Sequence, residues 1–150
     1  MTQAVEKTSL YDRDFLLWTE DTVTKLRLGD FQGLDLEHVI EEIEALGISQ
    51  KKELLSRLTT LLEHLIKRLY IPLPKDYNGW ERTIREQRRG IRVLLDQMPS
   101  LRNFWDSFFD KAWNFALKDL KAEYPQIQFP REWQFSRDLE TMLDCVFWDN

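Results

Sequence analysis

Leu34-Asp35-Leu36-Glu37-His38-Val39-Ile40-Glu41-Glu42-Ile43-Glu44-Ala45-Leu46-Gly47 reads as one helix with both ends marked. Asp35 has the side chain of an N-cap, Leu34 and Val39 stand at the N′ and N4 spacing of a hydrophobic staple, and Gly47 falls where a C′ stop is expected. On a wheel of about 100° per residue, Val39, Ile40, Ile43 and Leu46 fall within roughly 80° of Leu36 and form one apolar stripe. Glu37, Glu41 and Glu44 cluster on one shoulder of that stripe, and His38 and Glu42 lie on the far side. Carboxylates this early in a helix suit the positive end of its macrodipole.

The same three-four spacing continues in both directions. Toward the N-terminus a first helix runs from about Asp12, its cap, to Leu28, with Phe15, Leu16, Trp18, Val23 and Leu26 as apolar contacts and Gly29 as its stop. Past Ser49, Leu54, Leu55, Leu58, Leu61, Leu62, Leu65 and Leu69 predict a third helix to about Tyr70, ended by Pro72 and Pro74. A fourth runs from about Trp80 to Leu95, with Asn78 and Glu81 at N-cap and N3 spacing. Pro99-Ser100 opens a fifth, from Leu101 to about Glu123, apolar around more than half its circumference and therefore expected to be central. Pro125 and Pro130 bracket an irregular stretch, and Ser136 opens a short last helix toward Phe147. No alternating strand pattern competes. Short links between consecutive helices favour antiparallel neighbours. The expected fold is all-α: a compact bundle of five to six helices, mostly antiparallel neighbours, in one domain over residues 1–150 with a loose N-terminus over residues 1–9.

At 150 residues the chain can bury a sizeable core, and six Trp and nine Phe make that core aromatic-rich. A net charge of −5 argues against a chain built mainly to coat nucleic acid or an anionic membrane. The single cysteine, Cys145, excludes an internal disulfide and fits a reducing compartment. Residues 1–7 contain no apolar signal core, and no apolar run approaches the ~18 residues of a membrane span. A cytoplasmic protein with no membrane partner is expected.

The fourth helix carries a second charged row. With Trp80 at zero, Ile84, Gln87, Ile91, Leu94 and Leu95 form its apolar stripe, Arg85, Arg88 and Arg92 sit on one shoulder, and Arg82 and Arg89 point farther out. Three readings are open. Both charged rows are solvated faces, with surface pairs worth about 0–1 kcal/mol each. Or the carboxylate row (Glu37, Glu41, Glu44) pairs with the arginine row across a helix seam, in a structural polar network that also includes His64 and Gln87. Or Trp80, Arg82, Arg85, Arg88, Arg89 and Arg92 form a binding face for a phosphate-bearing or acidic partner, nucleic acid included. Gln87 lies inside the apolar arc, so if buried it must be hydrogen-bonded or cost about 1–3 kcal/mol.

Catalytic and metal patterns are sparse. His38 and Glu42 stand at i, i+4, but two ligands do not make a metal site. No Glu-x-x-His occurs to build a di-metal carboxylate bundle, and one cysteine excludes thiolate zinc. Nucleotide-binding glycine spacings and Gly-x-Ser-x-Gly are absent. No cofactor, no metal and no catalytic residue are expected, although a carboxylate-based or metal-dependent enzyme leaves no motif and stays open as a third reading.

Several segments occur together in one order: Tyr11-x-x-Asp14-Phe15-x-x-Trp18, the run from Asp35 to Gly47, Leu61-Leu62-x-His64-Leu65, Trp80-x-x-Thr83-Ile84-x-Glu86-Gln87-Arg88, Pro99-Ser100-Leu101 and Phe147-Trp148. In this set, over nearly its whole length, the chain resembles the bacterial family catalogued as domain of unknown function 29. The resemblance implies a small all-helical bacterial protein and carries no activity with it. Two departures stand out: the link from Tyr70 to Tyr77 and the thiol at Cys145. The functional expectation is a non-catalytic protein-binding module, with an unknown protein partner or a homo-oligomer, and Trp133, Phe135 and Trp148 as candidates for its patch. The alternative is nucleic-acid or phosphate-ligand binding through the face from Arg82 to Arg92.

Overall fold

A computed structural model describes residues 8–149, so most of the N-terminal segment expected to be loose lies outside the described residues. The fold is all-α, as the periodicity predicts. Among the described residues six α-helices follow one another: α1 (Leu10–Arg13), α2 (Phe15–Leu28), α3 (Leu36–Tyr70), α4 (Tyr77–Gln97), α5 (Trp105–Glu123) and α6 (Leu139–Asp144). Single 3-10 segments at Pro74–Asp76 and Pro99–Phe104 lead into α4 and α5, and there is no strand among the described residues. The chain divides into two compact units, Met1–Ile48 and Ser49–Asn150.

In the N-terminal unit the helix expected from Asp12 is two helices. Ser9 caps the single turn of α1, accepting from the Asp12 amide, and Asp14 then swings to φ −153° and caps α2 by accepting from the Leu17 amide at 3.0 Å. Two Asx/Ser caps so close together outcompete a continuous helix because each satisfies amides that a helix start leaves unpaired. Gly29 ends α2 as expected, in the left-handed region at φ 73°, its amide reaching back to the last carbonyls. Trp18 and Thr22 are the buried residues of α2. Tyr11 meets the Phe15 and Trp18 rings edge-on, at 5.6 and 5.0 Å between centroids.

Gly47 does not stop a helix. It lies inside α3, with ordinary backbone, and Gly29 is the only glycine with positive φ among the described residues. A C′ glycine ends a helix only when it turns into the left-handed region. Here Gln50, Lys51, Lys52 and Glu53 follow, all good helix formers, and propagation outweighs the ~1 kcal/mol that a mid-helix glycine costs. The expected second and third helices are therefore one.

The C-terminal unit holds a conventional core. Leu54, Leu58, Leu61, Leu62, Leu65 and Ile66 of α3 are fully buried. They pack in one cluster with Ile84, Ile91, Leu94 and Leu95 of α4 and with α5. Polar pairs give the directions. Arg57 reaches Gln87 while Arg68 lies 3.7 Å from Glu81, so α3 and α4 run antiparallel. Lys67 faces Glu123 and Glu63 faces Asp119, so α3 and α5 run parallel. Eight residues of α5 are buried, among them Trp105, Phe108, Phe109 and Trp113, which makes it central as its apolar circumference predicts. The irregular stretch is held by indoles: Trp105 donates to the Arg137 carbonyl at 2.9 Å and Trp113 to the Arg131 carbonyl at 3.0 Å. Those bonds explain why large aromatics stand beside a segment without backbone ladders.

Candidate functional site

Helix α4 displays the arginines, but they are not equivalent. Arg88 sends Nε to the Met142 carbonyl at 2.9 Å and Nη2 to the Cys145 carbonyl at 2.6 Å. The last carbonyls of a helix have no partner within it and carry partial negative charge, so Arg88 closes the C-terminal end of α6. Arg92 pairs with Asp144 and lies 3.8 Å from Glu140. Arg82 pairs with Glu86 one turn along its own helix, at 3.3 Å. Arg85 and Arg89 are exposed and have no ion-pair partner among the described residues. Trp80 is buried, 9% exposed, and presents no contact surface. The partners of Arg88 and Arg92 are thus backbone carbonyls and acids of the C-terminal segment, where one of the three readings pairs them with the glutamates of the opening helix.

The seam between α3 and α4 joins Gln87, one member of the expected polar network, to Arg57. Arg57 donates Nε to Glu53 at 3.1 Å and Nη1 to the Gln87 side-chain oxygen at 3.3 Å, which answers what the amide inside the apolar arc bonds to. A Cβ on Gly90 would lie 2.3 Å from Arg57 Nη1, so the glycine leaves room for the guanidinium. Gly90 was the available sequence signal, since a glycine inside a helix costs roughly 1 kcal/mol against alanine, although Gly79 of the same helix meets nothing within 4 Å. Glu53, Arg57, Glu86 and Arg89 line a cavity of about 520 Å³, and alternating charge gives it no preference for either sign of ligand. A second cavity of about 270 Å³ lies between Glu81, Ile84, Arg85 and Arg88 of α4 and Val146 and Trp148 of the tail.

His64 donates from Nδ1 to the Thr60 carbonyl at 2.8 Å, and burial pushes its pKa down. Beside it, burial and then the neighbouring Asp119 carboxylate push Glu63 up to about 7. This pair belongs to the packing of α3 on α5 and was not singled out by sequence, because two acids on separate helices share no spacing. Among the described residues, no three His, Cys, Asp or Glu are placed to hold a metal ion, and no helix is long and apolar enough to cross a membrane.

In the N-terminal unit, His38 is a hub. Its Nδ1 lies 2.5 Å from Asp35 Oδ2, its ring stacks on Tyr11 at 3.9 Å, and Tyr11 in turn donates to Glu42. Asp35 raises the His38 pKa, while the hydrogen bond from His38 lowers that of Asp35. Acceptance by Glu42 pushes the Tyr11 phenol up to about 12. The i, i+4 pair His38/Glu42 is therefore bridged by a tyrosine 31 residues before Glu42, which helical spacing alone does not reveal. Glu37, Glu41 and Glu44 make no ion pair among the described residues. The apolar stripe beside them is largely open: Leu36 is 59% exposed, Ile43 63% and Leu46 65%. On α2, Leu16, Val23 and Leu26 are exposed as well.

A family model described as domain of unknown function DUF29 matches residues 10–148. The chain belongs to that family. No curated protein and no solved structure matches it. The DUF29 match starts at Leu10, the first residue of α1, and ends at Trp148, so it takes in both the His38 hub and the tail that Arg88 holds. Of the patch expected from Trp133, Phe135 and Trp148, Phe135 is exposed. Trp133 and Trp148 pack against the core, Trp148 with the Arg68 guanidinium 5.1 Å over its ring.

Proposed function

We propose that this DUF29 protein is a non-catalytic protein-binding module and that the open apolar face of its N-terminal unit is the contact surface. The observation that carries this reading is the exposure of large aliphatic side chains at helical spacing along the first turns of α3. Scattered exposed leucines need no explanation, but a contiguous stripe of this kind marks an interaction site. Its proposed cytoplasmic placement rests on the single cysteine, which fits a reducing compartment. The test is affinity capture from the native host with the wild-type chain and with an Ile40→Ser/Ile43→Ser variant. A protein recovered by the first and lost by the second, with equal melting temperatures, supports the reading. Equal recovery sinks it.

Nucleic-acid or phosphate binding through the arginine face is the weaker reading. Arg82, Arg88 and Arg92 already have partners, which leaves Arg85 and Arg89 as exposed cations flanked by Glu81 and Glu86. Polyanion binding needs several cations free to displace counterions, and its strength must fall steeply with salt.

A further inference from the structure

The charge of the N-terminal unit selects its partner. Residues 1–48 contain eleven Asp and Glu against four Lys and Arg, a net charge of −7, whereas residues 49–150 contain fifteen against seventeen, a net charge of +2. The acidic excess is concentrated where the apolar stripe is open. Glu37, Glu41 and Glu44 line one shoulder of Leu36, Ile40 and Ile43, without ion-pair partners among the described residues. An apolar face bordered by unpaired carboxylates is the complement of an amphipathic helix whose apolar stripe is bordered by Lys and Arg.

We propose, on the basis of the protein-binding reading above, that this face receives a basic amphipathic helix of another protein. A second copy of the chain fits the apolar surface but brings a further −7 against it, and like charge across an interface is unfavourable. An anionic membrane surface or a nucleic acid meets the same repulsion. The carboxylates set register and approach rate, and the aliphatic side chains supply the buried contact.

The probes are two labelled helical peptides with identical leucines at i, i+3, i+4 and i+7, one flanked by lysines and the other by glutamates. Fluorescence anisotropy with the full chain should show binding of the lysine peptide, weakened about tenfold or more at high salt, and little binding of the glutamate peptide. Glu41→Lys/Glu44→Lys should weaken the lysine peptide at least tenfold, and Ile43→Ser should weaken it comparably. All three positions are exposed, and circular dichroism checks that the variants fold. Equal binding of both peptides overturns the basic-partner inference while leaving protein binding in place. No binding of either peptide overturns it too, and the capture experiment then decides separately whether a protein partner exists. Sedimentation that finds a dimer dissociated by Ile43→Ser overturns it in favour of a second copy.

Discussion

Helix α3 uses one periodicity for two outcomes. Near its start, Leu36, Ile40 and Ile43 recur at three-four spacing and are exposed; beyond Ser49, Leu54, Leu58, Leu61 and Leu65 recur at the same spacing and are fully buried. The difference is supply. The C-terminal unit brings α4, α5, α6 and a Trp-anchored tail against its stretch of α3, while the N-terminal unit has one turn and one helix of 14 residues. A hydrophobic stripe states that a face requires cover. It does not state that the chain provides it.

That contrast sets the size of each mutational effect. Phe109→Ala, in the C-terminal core, should cost about 3–5 kcal/mol in urea denaturation, whereas Ile43→Ser should stay within about 0.5 kcal/mol. Comparable losses at the two positions would show that the stripe of the N-terminal unit is buried in solution. Next in size is Arg88→Ala. It leaves the Met142 and Cys145 carbonyls without their charged donor and should cost about 2 kcal/mol, with early loss of hydrogen-exchange protection in α6.

Gly47→Ala sharpens the comparison in the opposite direction. No atom lies within 4 Å of the added Cβ and the backbone is helical, so the change should stabilise the chain by roughly 0.5–1 kcal/mol. Destabilisation would mean that Gly47 ends a helix after all. An effect of similar size depends on pH. Glu63 has its folded pKa raised, so its contribution is fully present below about pH 4.5 and is lost as pH rises through about 7. Glu63→Gln should therefore match the wild type near pH 4 and exceed it above pH 7, by on the order of 1 kcal/mol once solvent screening of a half-exposed pair is allowed for. An unchanged difference across that range would break the assignment. Last, His38 should titrate by NMR above its ordinary value of 6.5, and Asp35→Asn should bring it back down. Any stability contributed by this pair is present between the ordinary values of 3.8 for Asp35 and 6.5 for His38, fades as pH rises through the higher His38 value, and is lost as pH falls through the lowered Asp35 value.

The legible parts were those governed by local chemistry. Gly29, the proline-bounded end of α3, the centrality of α5 and the all-α class follow from capping, proline geometry and periodicity. Gly47 was misread because a glycine acts as a stop through its φ angle, and residue type only permits that angle. The break at Asp14 was hidden because Ser9 and Asp14, five residues apart, are both competent caps and Asp12 between them is a third candidate. In the candidate site, the two charged rows were visible but their partners were not. Arg88 and Arg92 bind a segment more than fifty residues away, and Arg57 owes its place to the room left at Gly90.

By itself the sequence determined which faces of each helix are apolar, where most helices end and how charge is distributed between the two halves, because each depends on residues within a few turns of one another. Only the tertiary structure decided which apolar faces are covered, which arginines are occupied and that His38 is held by Tyr11. Those outcomes depend on what is brought across from elsewhere in the chain, and a side chain a few residues away carries no record of it.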